Sequence, residues 1–454
     1  MNVQHLHLMG VGGVGMCGMA EVLLGEGLSV SGCDLAENER TRRLAELGAV
    51  VHVGHDRDHL EGIDAVVMSA AVPGDEPELM EAIKRGLPVI RRAEMLAELM
   101  RQRRGVAVAG THGKTTTTAL IGHLLTAAGA DPTVIVGGRA HFLGTHARVG
   151  GAPLLVCEAD EYDRSFLELA PHLAVITNLE PEHLDCYNDA NELDDAFVTF
   201  ANRASVFGSV IVCADDPGAW GLRSRLRRRV VGYGSSPEAE VRLRIVSADS
   251  SGTRFEILRS DHLLGEVKLS LPGGFNALNA LAAITVGLEL GLDFGDLAGG
   301  CESFSGVARR FEVRGERDGV VVVDDYAHHP TEIRAVLEAV RQVMPDRRVV
   351  AVFQPHLYSR TRDFFCGFAA ELLGAEVAVI LPIYPAREQS IDGISSRLVV
   401  DEATRLGHPQ AIEGRPLDEA MQQLENIVRP GDVLLTIGAG DVDQLAAAWL
   451  EGSA

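Results

Sequence analysis

The segment Gly110-Thr111-His112-Gly113-Lys114-Thr115, followed by Thr116-Thr117-Thr118, carries the strongest chemical signal in this 454-residue chain. A glycine-rich turn that opens a helix presents backbone N–H groups and the positive end of the helix dipole to phosphate. A lysine at that point reaches the outer phosphates of a nucleotide, and the following hydroxyl ligates Mg²⁺. The general phosphate-loop pattern wants a glycine five residues before Gly113, where this chain has Val108, so the match is to a shorter variant. A Thr-rich cap on an ordinary helix is the plainer alternative. It does not account for an apolar run, a G-K-T triplet and a helix in immediate succession.

Gly10-x-Gly12-x-x-Gly15 follows the first apolar run, with Asp34 beyond it at about the 20-residue spacing of a dinucleotide fingerprint. Alone this reads as a Rossmann unit, although the same turn can hold any pyrophosphate or serve only close helix packing. Glu158-Ala159-Asp160-Glu161 ends another apolar run, where ligands of parallel sheets bind. A hard cation needs one or two carboxylates besides phosphate oxygens, and Glu158, directly off the strand, is the expected ligand. His183, in Asn178-Leu179-Glu180-Pro181-Glu182-His183, occupies a similar place, although a lone histidine is more often a structural hydrogen bonder. Asp324-Asp325-Tyr326-Ala327-His328-His329-Pro330 and Gln354-Pro355-His356-Leu357-Tyr358-Ser359-Arg360 are two more polar bursts after apolar runs. Neighbouring side chains of an extended segment point to opposite faces, so proton transfer or substrate contact by one histidine is expected there, not shared ligation.

The elements that must position these groups follow one rhythm. Apolar runs at 6–9, 106–109, 154–157, 173–177, 210–213, 320–323, 349–353, 377–381 and 433–437 alternate with helical stretches. Runs buried on both faces and interleaved with helices predict α/β units with parallel sheets. Ile333, Val336, Leu337 and Val340 fall at helical spacing, and 277–290 is apolar nearly all round, as in a helix buried between layers. Residues 241–247, 253–258 and 266–271 alternate polar and apolar and predict a small antiparallel sheet appended to the middle unit. Charged stretches near 101–104 and 309–310 suggest boundaries, giving units at 1–104, 105–308 and 309–454.

Composition narrows the partners. There are 41 basic and 64 acidic residues, a formal charge of −23, and the only lysines are Lys84, Lys114 and Lys268. So acidic a chain lacks the basic face that nucleic acid or an anionic membrane requires, but local groups can still bind small anions. There is no apolar run of about 18 residues and no basic-then-apolar leader, so neither membrane insertion nor secretion is expected. Seven scattered cysteines with no C-x-x-C pair read as reduced core thiols of a cytoplasmic protein, not as a disulfide frame or a zinc site.

Taken in order, G-x-G-G-x-G-M, G-T-H-G-K-T-T-T-T, E-A-D-E-Y-D-R-S-F, N-L-E-P-E-H-L-D, L-P-G-x-x-N-x-x-N-A, R-R-F-E, D-D-Y-A-H-H-P-T-E and F-Q-P-H-x-Y-S-R-T resemble the Mur ligases of peptidoglycan synthesis from Gly10 to Gly440. The resemblance implies three domains: a Rossmann-like domain for a UDP-sugar, a central phosphate-loop ATPase and a Rossmann-like C-terminal domain that completes the site. It implies UDP-N-acetylmuramate, L-alanine and ATP as substrates, Mg²⁺ (or Mn²⁺) as cofactor, an acyl-phosphate intermediate, and a monomer or weak homodimer. Gly10, Gly12, Gly13, Gly15, Asp34 and Ser69 would then hold the UDP-sugar. Gly110 to Thr116, Asn276, Asn279, Arg310 and Asp325 would hold ATP, and Thr115, Glu158 and His183 the metal. Tyr326, His328, His356 and Arg360 would surround the amino acid, with Lys114, His183, Arg310 and the base His328 taking part in catalysis. The chain departs from the family pattern at Phe275, where a histidine is usual, and at Leu357, where some relatives carry arginine. Several sister ligases hold a second metal with a carbamylated lysine. No lysine lies between Lys114 and Lys268, which excludes that device. The alternatives are a ligase that recycles whole peptides onto the same UDP-sugar, an NAD(P)-dependent oxidoreductase built on the first glycine turn, or a non-catalytic phosphate-loop regulator.

Overall fold

A computed structural model describes residues 3–181, 186–187, 189–249, 251–386 and 388–452. By packing the chain divides into two units: 1–246 with 254–270 and 276–306, and 307–454 with 247–253 and 271–275.

The first unit holds two sheets. The N-terminal one has five parallel strands in the order Val50–Val53, Ser29–Asp34, His5–Met9, Ala65–Met68, Val89–Arg91. The chain leaves the central strand His5–Met9 at the point where strand order reverses, the position at which open α/β sheets bind ligands. The second sheet has ten strands. Arg104–Ala109 lies inside it between Leu173–Ile176 and Leu154–Glu158, parallel to both. The alternating stretches predicted as a small antiparallel sheet are Val241–Asp249, Gly252–Arg259 and His262–Leu269, and they continue the ten-stranded sheet at one end. Two-residue connections between consecutive strands permit only antiparallel pairing.

Helix Val14–Gly25 is buried along most of its length, from Met16 to Leu23. It has no polar face because it lies between the first sheet and strands of the second. Gly18 permits the approach: a Cβ there would meet the His146 carbonyl oxygen at 3.4 Å and the Ile135 side chain at 3.5 Å. One apolar core therefore runs from Leu6 and Leu8 through Met19 to Ile135, Ala147 and Leu155.

The second unit has a six-stranded sheet in the order Glu312–Arg317, Val320–Asp325, Val433–Ile437, Val349–Phe353, Val377–Ile380, Ala411–Glu413. Its pairings are parallel except at the edge strand Glu312–Arg317. The two-residue strand period divides Val320–Asp325 cleanly: Val321 and Val323 enter one core and Val320 and Val322 the other. Helix Pro330–Val343 buries Ile333, Val336, Leu337 and Val340, as its periodicity predicts. Phe275 packs against the first of these cores, which gives its aromatic ring an apolar setting.

Candidate active site

Residues 110–113 leave strand Arg104–Ala109 and cap helix Lys114–Ala127. Gly110 (φ 140°) and Gly113 (φ 79°) adopt backbone conformations that L side chains rarely take. Space forbids a side chain as well: a Cβ on Gly110 would sit 2.0 Å from Thr177 Oγ1, and one on Gly113 would sit 2.8 Å from Asn279 Oδ1. The loop is braced by the segment after strand Leu173–Ile176. Asn178 Oδ1 accepts the His112 N–H (2.7 Å), the Thr177 hydroxyl donates to the His112 carbonyl (2.6 Å), and Thr111 Oγ1 accepts the Glu180 N–H (2.9 Å). Neither Thr177 nor Asn178 was assigned a role from the sequence. Thr177 closes the apolar run 173–177, and Asn178 opens the N-L-E-P motif that follows it.

Lys114 is held by an acid from the E-A-D-E cluster, and that acid is Glu161. Nζ lies 2.9 and 2.8 Å from its two carboxylate oxygens and also donates to the carbonyls of Gly110 (2.6 Å) and Thr111 (3.2 Å). Glu158, the acid expected to ligate metal, accepts from the Thr115 hydroxyl at 3.3 Å and from the Gly137 N–H. The structure therefore brings Thr115 and Glu158 together. A hydroxyl and a carboxylate at this separation suit adjacent positions on an octahedral Mg²⁺, whose neighbouring oxygens are about 3 Å apart at bond lengths of about 2.1 Å. Asn279 lies beneath Gly113 and accepts from the Thr117 hydroxyl (3.1 Å), and Asn276 is buried in the same helix. Thr116 is buried in the first turn of helix Lys114–Ala127. His183 lies outside the described residues.

The first glycine turn gathers its expected residues too. Gly10 and Val11 donate their N–H groups to the Cys33 carbonyl (2.9 and 3.0 Å), and Gly12 N–H donates to Asp34 Oδ2 (2.8 Å). Gly13 caps helix Val14–Gly25, and the backbone of Ser69 donates to Met9 (3.1 Å) beside Gly10. A Cβ on Gly15 would lie 3.2 Å from the Arg92 guanidinium. Asp34 thus clasps the turn from within, and Arg92, absent from the sequence reading, brings a cation to the start of the helix.

In the second unit, Tyr326, His328, His356 and Arg360 are neighbours. The Tyr326 and His328 ring centroids are 5.6 Å apart, those of His328 and His356 are 6.2 Å apart, and Arg360 reaches His356 Nδ1 at 3.2 Å. Tyr384 stacks on His356 at 5.8 Å and was not anticipated. His328 Nδ1 faces the Tyr326 carbonyl (3.0 Å), which can only accept, so Nδ1 carries the proton and Nε2 is the basic nitrogen. The Arg310 guanidinium lies 5.0 Å from the Tyr326 ring centroid and 3.9 Å from Glu332. Asp325 accepts the N–H groups of Phe311 (2.7 Å) and Ala327 (2.8 Å), and burial pushes its carboxyl up to about 7 against the pull of Arg310. Asp325, expected to help hold ATP, is thus also the clamp of its own loop.

Two glycine turns at the ends of parallel strands, one carrying a lysine and an oxygen pair suited to a hard cation, define a nucleotide-dependent enzyme of the α/β class. The models of three successive family domains match: "Mur ligase family, catalytic domain" at 5–104, "Mur ligase middle domain" at 108–287 and "Mur ligase, glutamate ligase domain" at 309–440. UDP-N-acetylmuramate–L-alanine ligases from Geobacter sulfurreducens and Solidesulfovibrio magneticus are 44% and 47% identical to the chain, covering 99% of it and 97% and 98% of their own lengths. A crystal structure of the UDP-N-acetylmuramate–alanine ligase of Thermotoga maritima superposes with a TM-score of 0.83 at 30% identity, over 99% of this chain and 98% of that one. A murein peptide ligase of Psychrobacter arcticus shares the fold at a TM-score of 0.73 and 22% identity, over 99% of this chain and 98% of that one. The chain belongs to the Mur ligase family.

Proposed function

We propose that the chain joins L-alanine to the lactyl carboxylate of UDP-N-acetylmuramate at the expense of ATP, a step in peptidoglycan precursor synthesis. The observation that carries this reading is similarity at 44–47% identity over nearly the full length to ligases of that name. The family fold and the two glycine turns support it.

In this reading the turn at Gly10–Gly15 holds the UDP pyrophosphate on the start of helix Val14–Gly25, with Arg92 beside it. The turn at Gly110–Gly113 and Lys114 hold the ATP phosphates. Thr115 and Glu158 would hold Mg²⁺, which supplies charge neutralisation to the transferring phosphoryl group. The lactyl carboxylate attacks the γ-phosphorus and ADP departs, leaving an acyl phosphate. The amine of L-alanine attacks the acyl carbon, and phosphate leaves. Lys114 and Arg310 stabilise charge on the transferring group, work that is electrostatic more than covalent. Arg360 pairs with the alanine carboxylate, and His328 Nε2 takes the ammonium proton. Among the described residues no helix is long and apolar enough to cross a membrane.

The test is ADP release in the presence of UDP-N-acetylmuramate and each of L-alanine, glycine, L-serine or a peptide. ADP formation with L-alanine, lost in Lys114→Ala while UDP-sugar binding persists, is the expected result. Activity only with a peptide would move the chain to the recycling reaction.

A further inference from the structure

A second constellation lies in the N-terminal sheet, on the face away from helix Val14–Gly25. His7 comes from the central strand, Cys33 from strand Ser29–Asp34, His59 from the 3-10 turn Arg57–Leu60 and Glu78 from the first turn of helix Pro77–Lys84. One ligand atom from each lies within 4.8 Å of all the others. His7 and Cys33 are fully buried, and Glu78 is 1% exposed.

From this geometry we propose that His7, Cys33, His59 and Glu78 bind one divalent transition-metal ion of the zinc class. Glu78 Oε1 lies 3.0 Å from both His7 Nε2 and His59 Nδ1, and Cys33 Sγ lies 3.2 Å from Glu78 Oε2. Ligand atoms of a tetrahedral zinc site are about 3.3–3.7 Å apart, so no pair in this cluster need change its separation by more than about 1.5 Å to reach a coordination sphere. Glu78 is also met by His55 Nδ1 (2.9 Å) and accepts from Cys33. Within the cluster only His7 Nε2, buried and 3.0 Å from the carboxylate, lacks the alignment of a hydrogen bond.

The other nitrogen of His7 is fixed by Ser31 Oγ at 2.9 Å, the outer-sphere contact that sets a ligand histidine's tautomer. His52 stacks on His59 with centroids 4.0 Å apart and holds that ring in place. The donor set is imidazole, thiolate and carboxylate, which favours zinc-like ions over Mg²⁺. Charge balances as well: a dication meets the Glu78 carboxylate and the Cys33 thiolate, and the Cys33 proton leaves to solvent. The partly exposed side chains of His55 and His59 offer a way in. The Cys33 carbonyl anchors Gly10 and Val11, so the ion would stiffen the first glycine turn from behind.

The experiment is titration of the chelator-treated full chain with Co²⁺ in excess Mg²⁺, which occupies oxygen-only sites. The expected result is one equivalent bound with tetrahedral d–d bands and a near-ultraviolet sulfur-to-cobalt band. Cys33→Ser should abolish the sulfur band, and His59→Gln, which removes a ligand, should keep the band but weaken binding by more than the roughly 10-fold that loss of an outer-sphere partner costs. Cys366→Ser, at an exposed thiol, should change nothing. Zn²⁺ should raise the unfolding midpoint of the unaltered chain by mass action. Absence of a sulfur band, its survival in Cys33→Ser, or no midpoint shift with Zn²⁺ would overturn the proposal.

Discussion

Lys114 and Glu161 form a largely buried ion pair, with Nζ 2.9 and 2.8 Å from the two carboxylate oxygens and side chains 15% and 2% exposed. The lysine that would meet phosphate is thus already charge-compensated from within the protein. Removing one partner of such a pair leaves an uncompensated buried charge, at a cost of about 3 kcal/mol. Glu161→Ala should therefore lower the unfolding midpoint, and ATP should raise that of the variant more than that of the parent, because phosphate replaces the missing carboxylate. Equal nucleotide shifts in the two proteins, measured by thermal denaturation, would show that the pair does not compete with phosphate.

Gly110→Ala is expected to abolish ATP binding. The new methyl group would lie 2.0 Å from Thr177 Oγ1 at a φ of 140°, and such backbone strain costs about 1–3 kcal/mol before the clash is counted. Gly129→Ala is the control for φ alone, since it shares a positive φ and nothing lies within 4 Å of its Cβ. Nucleotide titration calorimetry on both variants separates loss of the site from general strain.

Thr115→Val and Glu158→Gln should each raise the Mg²⁺ concentration for half-maximal activity by about 10-fold or more, because each removes an oxygen ligand from a site with few protein ligands. Chelation should abolish activity in the parent, and Mg²⁺ should restore it. An unchanged Mg²⁺ dependence in both variants would remove the Thr115–Glu158 pair from the metal site.

Arg360→Lys should raise KM for L-alanine by about 100-fold and leave KM for ATP and UDP-N-acetylmuramate near the parent values, since a lysine cannot grip a carboxylate with two parallel N–H bonds. Steady-state kinetics with each substrate varied in turn makes the distinction. A rise confined to ATP would place Arg360 elsewhere.

Asp325 gives a pH prediction. Its carboxyl is raised from 3.8 to about 7 in the folded state by burial. A raised folded value means that the group's contribution to stability is full below the unfolded value and is lost as pH rises through about 7. The parent should therefore lose stability relative to Asp325→Asn between about pH 5 and about pH 8, by at most a few kcal/mol at about 1.4 kcal/mol per pKa unit. Denaturant midpoints of both proteins at the two pH values measure the difference. A constant gap would mean that Asp325 is ionised throughout.

What the sequence determined by itself was chemistry written in consecutive residues. The phosphate loop, the first glycine turn and the tyrosine–histidine segment are each a few positions long, and their backbone conformations follow from local residue types. The strand–helix rhythm likewise follows from burial periodicity, which short windows record. Tertiary structure decided which distant side chains share a volume. It placed Glu161 on Lys114 and Glu158 beside Thr115, although all four come from two short motifs, because each acid's direction depends on the turn that follows strand Leu154–Glu158. It set Thr177 and Asn178 under the loop and Arg92 beside Gly15. It also joined the alternating strands to the ten-stranded sheet, since strand edges are satisfied by neighbours that the local pattern does not name. The cluster of His7, Cys33, His59 and Glu78 is the fullest case. No spacing rule links four residues on four elements, and only parallel pairing of the strands and the docking of helix Pro77–Lys84 bring their ligand atoms together.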